Sequence, residues 1–116
     1  MNIRKLELKD VTIKVSTEKE YTSVESASKD CGENAEDFIK TVKELKKSSR
    51  WGWCTVRVDA TYKGFKGSDY LGCCSYRSKE DFIAGGYYEQ MVKAALDELN
   101  KVLSLKYDEI KDLVEA

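Results

Sequence analysis

Few residues in this chain could carry out covalent or acid-base chemistry. It has four cysteines (Cys31, Cys54, Cys73 and Cys74), 21 acids, 20 Lys or Arg, and no histidine. Without histidine there is no Ser-His or Cys-His nucleophile pair and no His-containing zinc site. The cysteines fall as two singletons and an adjacent pair, which lacks the C-x-x-C knuckles of a Cys₄ zinc site. No metal is expected. Cys54 and Cys73 are expected as small buried hydrophobes, reduced in a cytosolic compartment. An enzyme here would have to use Asp, Glu, Tyr or Lys as acid or base. Asp69 is the acid to test, because the strand register below sets it on an apolar face. Its plain alternative is a hydrogen bond to backbone at a bulge. The glycine groups GFKG and AGG are too short to cradle a phosphate. The expectation is a protein without a catalytic set or a cofactor, hence not an enzyme.

Recognition is the other chemistry on offer. Lys40 to Lys66 holds eight bases and two acids, Thr17 to Asp37 seven acids and two bases, and Glu80 to Glu115 nine acids and four bases. The basic middle places Lys47, Arg50, Arg57, Lys63 and Lys66 beside Trp51, Trp53 and Tyr70. These eight residues are the candidate partner-binding set, with Lys43 and Lys46 nearby. Basic and aromatic residues together can stack and neutralise single-stranded nucleic acid. The net charge of −1 and pI of about 5.6 argue against bulk attraction to nucleic acid or anionic membrane. An acidic surface can instead occupy a basic groove on another protein, and Asp97, Glu98, Asp108, Glu109 and Asp112 are available for that. The plain alternative is that these charges are ordinary solvated faces.

Several elements must position these residues. Trp53 to Tyr62 alternates: Cys54, Val56, Val58, Ala60 and Tyr62 point one way, Trp53, Thr55, Arg57, Asp59 and Thr61 the other. Lys63-Gly64 is a two-residue turn into a second strand, Phe65 to Tyr76. That turn sets Tyr62 opposite Phe65, Val56 opposite Leu71, Cys54 opposite Cys73 and Arg57 opposite Tyr70. Trp51 and Trp53 share a face, and if uncovered they form an apolar interface patch. Gly72 beside Cys73-Cys74 marks a bulge or a close approach.

Lys5 to Val15 also alternates, but its phase slips between Leu8 and Val11. One long strand bulged at Lys9-Asp10 is expected, with a turn there as the alternative. Ser16 to Asp37 reads as a long polar connection. Asn34 to Lys47 is an amphipathic helix capped by Asn34, with Ala35, Phe38, Ile39, Val42 and Leu45 on its stripe. Ser78 and Asp81 resemble a capping box for a short turn, Lys79 to Ala84, broken by Gly85-Gly86. From Tyr87, Met91, Val92, Ala95, Leu96, Leu99 and Leu103 form a second stripe that continues to Val114. Unbroken to Glu115, that helix is about 43 Å long, so residues 105–116 must bend, project or find a partner. A homodimer contact through this helix is expected.

The predicted fold is a single α+β domain over 1–116, in the order β-α-β-β-α. Its antiparallel sheet has three or more strands and it has two main helices. No run of apolar residues is long enough for a membrane span, and Met1 to Val15 lacks the zones of a signal peptide.

Residues 51–96 resemble a group of small proteins encoded by bacteriophages and mobile elements. The shared pattern is W-x-W/C at Trp51 to Cys54. It continues with a hairpin through Thr61, Gly67, Asp69 and Leu71 to Tyr76, then a D-F-x-x-G-G-Y-Y-x-x-M helix entry from Asp81 to Met91. The resemblance implies a stoichiometric inhibitor of a host defence nucleoprotein complex, such as CRISPR–Cas, acting in the host cytoplasm. The alternative is a nucleic-acid-binding accessory protein using the basic 40–66 segment.

Overall fold

The computed structural model describes residues 5–115, with side chains described for 5–29 and 31–104. Its elements run β1 (Thr12–Glu18), α1 (Val24–Ala27), α2 (Ala35–Ser48), β2 (Cys54–Tyr62), β3 (Phe65–Cys74), α3 (Lys79–Ala84) and α4 (Tyr87–Glu115). Short 3₁₀ turns occupy Leu8–Asp10, Ser28–Asn34 and Arg50–Gly52. The strands form an antiparallel sheet in the order β1-β2-β3, so the protein is α+β with two main helices.

The hairpin forms at the expected turn. Lys63 and Gly64 both have positive φ, 47° and 85°, which matches the twist of the flanking strands. Register follows: the Ser68 hydroxyl donates to Asp59 Oδ1, and Arg57 lies against Tyr70. Cys54, Val56, Val58 and Ala60 are buried, as their alternation predicts. Asp59 breaks the pattern on the opposite face, being only 5% exposed.

Three expectations are corrected. Lys5 to Val15 is not one bulged strand. The Glu7 amide donates to Asp10 Oδ2 at 2.8 Å and the Asp10 amide to the Glu7 carbonyl at 2.9 Å, closing a 3₁₀ turn that absorbs the phase slip. Leu6 is buried before the turn and Leu8 is exposed on it. Ser16 to Asp37 is not an unstructured connection. It continues β1 and then forms α1, where the Ser26 amide donates to Ser23 Oγ and Val24 is buried. Cys73 is exposed and Cys74 buried. Cys73 has φ 55°, a bulge that turns its side chain outward and brings Cys74 to the dry side. Asn34 is the N-cap residue of α2, as expected, although its side chain makes no cap hydrogen bond.

The chain divides into two compact units. One comprises Met1–Lys14, Val58–Asp69 and Glu89–Ala116. Its core holds Leu6, Val58, Ala60, Met91, Val92, Ala95 and Leu99. A Cβ at Gly67 would overlap the Ala95 carbonyl oxygen and the Leu99 amide, so α4 lies directly on β3 there. The Asn100 amide pairs with Leu6 in both directions, at 2.8 and 3.1 Å.

The other unit comprises Val15–Arg57 and Tyr70–Tyr88. In it Trp53, Val24 and Val42 pack with Ala27, Phe38 and Ile39. Phe82 stacks on Trp51 at 5.8 Å and meets Tyr76 and Tyr88 edge-on at 5.2 and 6.3 Å. The Asp81 amide donates to Ser78 Oγ at 3.2 Å, starting α3 where the capping pattern predicts. Helix α4 is continuous from Tyr87 to Glu115. The expected projection or dimer contact of residues 105–116 falls on side chains outside the described residues.

Candidate partner-binding surface

Strand alternation sets Glu18, Arg57 and Tyr70 side by side, one from each strand. Arg57 Nη1 donates to Glu18 Oε1 at 2.8 Å, and its guanidinium carbon lies 5.4 Å from the Tyr70 ring centroid. Tyr70 is 51% exposed on this neutral row.

Beside it, Glu20 ties three segments together. Its Oε1 accepts from the Thr55 hydroxyl at 3.0 Å and from the Cys73 amide at 2.5 Å, and its Oε2 from the Thr22 amide at 3.0 Å. Burial pushes the Glu20 carboxyl up. The hydrogen bonds from Thr22, Cys73 and Thr55 outweigh that and hold it below its ordinary 4.5. Burial and then the Glu20 charge push the Cys73 thiol up. The sequence reading missed Glu18 and Glu20. Their signal was the alternation of Thr12, Lys14, Ser16, Glu18 and Glu20, which carries the strand phase past Val15.

Of the eight candidate residues, Arg57 and Tyr70 are brought together. Lys47 is exposed and pairs with Glu44 at 3.4 Å. Arg50 is exposed in its 3₁₀ turn. Trp51 and Trp53 do not share an open face, because Trp51 lies in that turn rather than on the strand. Trp51 stacks on Phe82. Trp53 is 7% exposed, with Nε1 donating to the Thr22 carbonyl at 2.9 Å. Lys63 and Lys66 are exposed in the other unit, Lys63 over the Tyr62 ring at 5.3 Å. Asp69 is half-buried, and the buried carboxylate is Asp59. Lys43 of the basic middle is ion-paired with Glu25.

Among the described residues, no three His, Cys, Asp or Glu side chains gather to hold a metal ion, and no helix is long and apolar enough to cross a membrane. No known family, no curated protein and no solved structure matches this chain.

Proposed function

We propose that this is a non-enzymatic binding protein that docks a protein partner through the sheet face carrying Glu18, Arg57 and Tyr70. The observation that carries this reading is the half-exposed Tyr70 ring held against Arg57. Tyr and Arg dominate interface hot spots, and a ring already held in place loses little freedom on binding. A protein partner is favoured over nucleic acid because Arg57, Lys43 and Lys47 already meet carboxylates. Paired cations release few counterions on meeting phosphate. The resemblance to phage and mobile-element proteins narrows the partner to a host defence nucleoprotein complex such as CRISPR–Cas, blocked stoichiometrically in the host cytoplasm. A nucleic-acid accessory role has one observation in its favour: Arg57 and Tyr70 together offer a base-stacking platform.

The test is a titration into CRISPR–Cas DNA-cleavage reactions. Cleavage should stop at one protein per effector, and Tyr70→Ala should raise the amount needed about tenfold or more. Undiminished cleavage at excess protein overturns the inhibitor reading. Filter binding to single- and double-stranded oligonucleotides at two salt concentrations separates the two roles. Tight, steeply salt-dependent binding supports the nucleic-acid role instead.

A further inference from the structure

The sheet has two open edges, because its strands lie in the order β1-β2-β3. Strand β3 (Phe65–Cys74) pairs only with β2. The two-residue turn at Lys63-Gly64 makes Tyr62 and Phe65 a hydrogen-bonded pair, and such pairs alternate along an antiparallel ladder. Gly67, Asp69 and Leu71 therefore aim their amides and carbonyls at β2, whereas Lys66, Ser68 and Tyr70 aim theirs outward. Among the described residues, those outward groups meet no hydrogen-bond partner. Lys66 and Tyr70 are exposed and Ser68 is half-buried, so solvent reaches this edge.

Folded proteins shield such edges with Lys, Pro or a bulge. Edge β1 has Lys14 within it. On β3 the shields stand at the ends, as Lys66 and the Cys73 bulge. Between them, Gly67 to Gly72 holds no Lys, Arg or Pro. A row of backbone donors and acceptors is matched by another extended strand. A second copy of this chain does not fit there. Helix α4 lies directly on β3 at Gly67. Two-fold pairing centred on Gly67 or Ser68 would set two such helices about 5 Å apart, where packed helices need about 8–10 Å. Centred on Asp69, it would oppose two carboxylates. Further along, it runs into the Cys73 bulge. The occupant is therefore a single strand from another protein.

Charge sets the sequence of that strand. Asp69 is half-buried and Lys66 exposed, and neither has an ion-pair partner among the described residues. Antiparallel pairing is the more stable form. In it, the residue facing Asp69 comes three places before the residue facing Lys66.

We propose that the outer edge of β3 takes up an extended segment of a partner protein as a fourth, antiparallel strand. A Lys or Arg of that segment faces Asp69 and, three residues on, an acid faces Lys66. The docking uses the backbone of β3 rather than the Tyr70 ring, so it stands without the sheet-face reading.

The test is NMR amide exchange of the full chain, alone and with excess of an eight-residue Thr/Val peptide carrying Lys-x-x-Glu. Alone, the Ser68 and Tyr70 amides should exchange about tenfold or more faster than those of Asp69 and Leu71, which β2 holds. With the peptide, Ser68 and Tyr70 should slow by about tenfold. N-methylation of the two residues flanking the peptide Lys removes the amides that face β3 and should abolish the slowing. N-methylation of that Lys and of the residue two places on, whose amides face away, should leave it. Asp69→Lys should weaken binding about fivefold. Tyr70→Val, which keeps the strand but not the ring, should weaken it about fivefold at most. Circular dichroism of each variant checks that the fold is kept. Three outcomes overturn the proposal: Ser68 and Tyr70 amides as slow as Asp69 in the free chain, no slowing with the peptide, or equal loss with both N-methylated peptides. Undiminished binding by Asp69→Lys would overturn the charge order. Loss of all binding in Tyr70→Val would place the peptide on the ring and also overturn the proposal.

Discussion

The Glu20 carboxylate holds the backbone amide of Cys73, a residue 53 positions further along the chain. Cys73 sits at φ 55°, which costs a residue with a Cβ about 1 kcal/mol, so Glu20 clamps a bulge that would otherwise relax. Burial alone would raise the Glu20 pKa, but the donors Thr22, Cys73 and Thr55 bring it below 4.5. A carboxylate depressed in the fold stabilises it above its ordinary pKa, and that stability is lost as pH falls through the folded value. Glu20→Ala should therefore cost about 1–2 kcal/mol near neutral pH. The cost should shrink as pH drops below 4.5. Urea melts of both proteins at neutral and strongly acidic pH measure this. A difference that stays constant with pH would mean the carboxylate charge plays no part.

Trp53 pins the acidic segment to the sheet. Its Nε1–H reaches the Thr22 carbonyl immediately before the Ser23 cap of α1, and its ring packs on Val24 and Val42. Trp53→Phe keeps an aromatic ring but removes the donor and leaves a gap. The expected cost is about 1–3 kcal/mol. Amide exchange should speed up selectively over Ser23–Ala27, where α1 depends on this anchor. Unchanged exchange there would show that Val24 burial alone holds the segment.

Elements with a strong local signal were legible in the sequence. The Lys63-Gly64 turn carried its own φ preference, and the β2 alternation then fixed which residues are dry. Ser78 and Gly85 bracketed α3, and the Met91–Leu99 stripe marked the buried face of α4. What escaped depends on contacts distant in sequence. Thr22 to Asn34 looks polar and loop-like, and only the Trp53 indole and the burial of Val24 explain its helical turns. Alternation assigned Cys73 to the core because it cannot register a single positive φ. Of the row Glu18, Arg57 and Tyr70, the last two followed from register, since Arg57 and Tyr70 are directly opposed. The Trp51–Trp53 patch did not form, because a 3₁₀ turn replaces the strand at Arg50–Gly52.

The same bulge divides the thiols. Cys54 is pushed up to about 12, by burial first and then by the charges of Cys74 and Glu20. Cys74 is raised by burial as well, whereas Cys73 is exposed. Since the thiolate is the reactive form, iodoacetamide at mildly alkaline pH should label Cys73 in the folded protein. Its rate should fall below that of an unstructured thiol, because its own pKa is raised. Cys54 and Cys74 should react only in denaturant. Peptide mapping by mass spectrometry reads the order, and Cys54 labelled as fast as Cys73 would contradict the outward turn at φ 55°.

Two glycines on β3 and its turn allow one substitution to separate two physical causes. At Gly64 nothing lies within 4 Å of an added Cβ, but φ is 85°, so Gly64→Ala meets only backbone strain, about 1 kcal/mol. At Gly67 the added Cβ runs into α4 backbone, with the Leu99 Cα at 2.8 Å. Backbone cannot swing aside as a side chain can, so Gly67→Ala must displace the helix or the strand, at about 2–3 kcal/mol. The two variants should also differ in where they loosen the protein. Gly64→Ala should speed amide exchange only around the turn. Gly67→Ala should speed it along Ala95–Leu99 and at Leu6, whose backbone Asn100 holds from the same helix. Equal costs in urea with exchange confined to the turn in both would mean that α4 does not bear on β3 at Gly67.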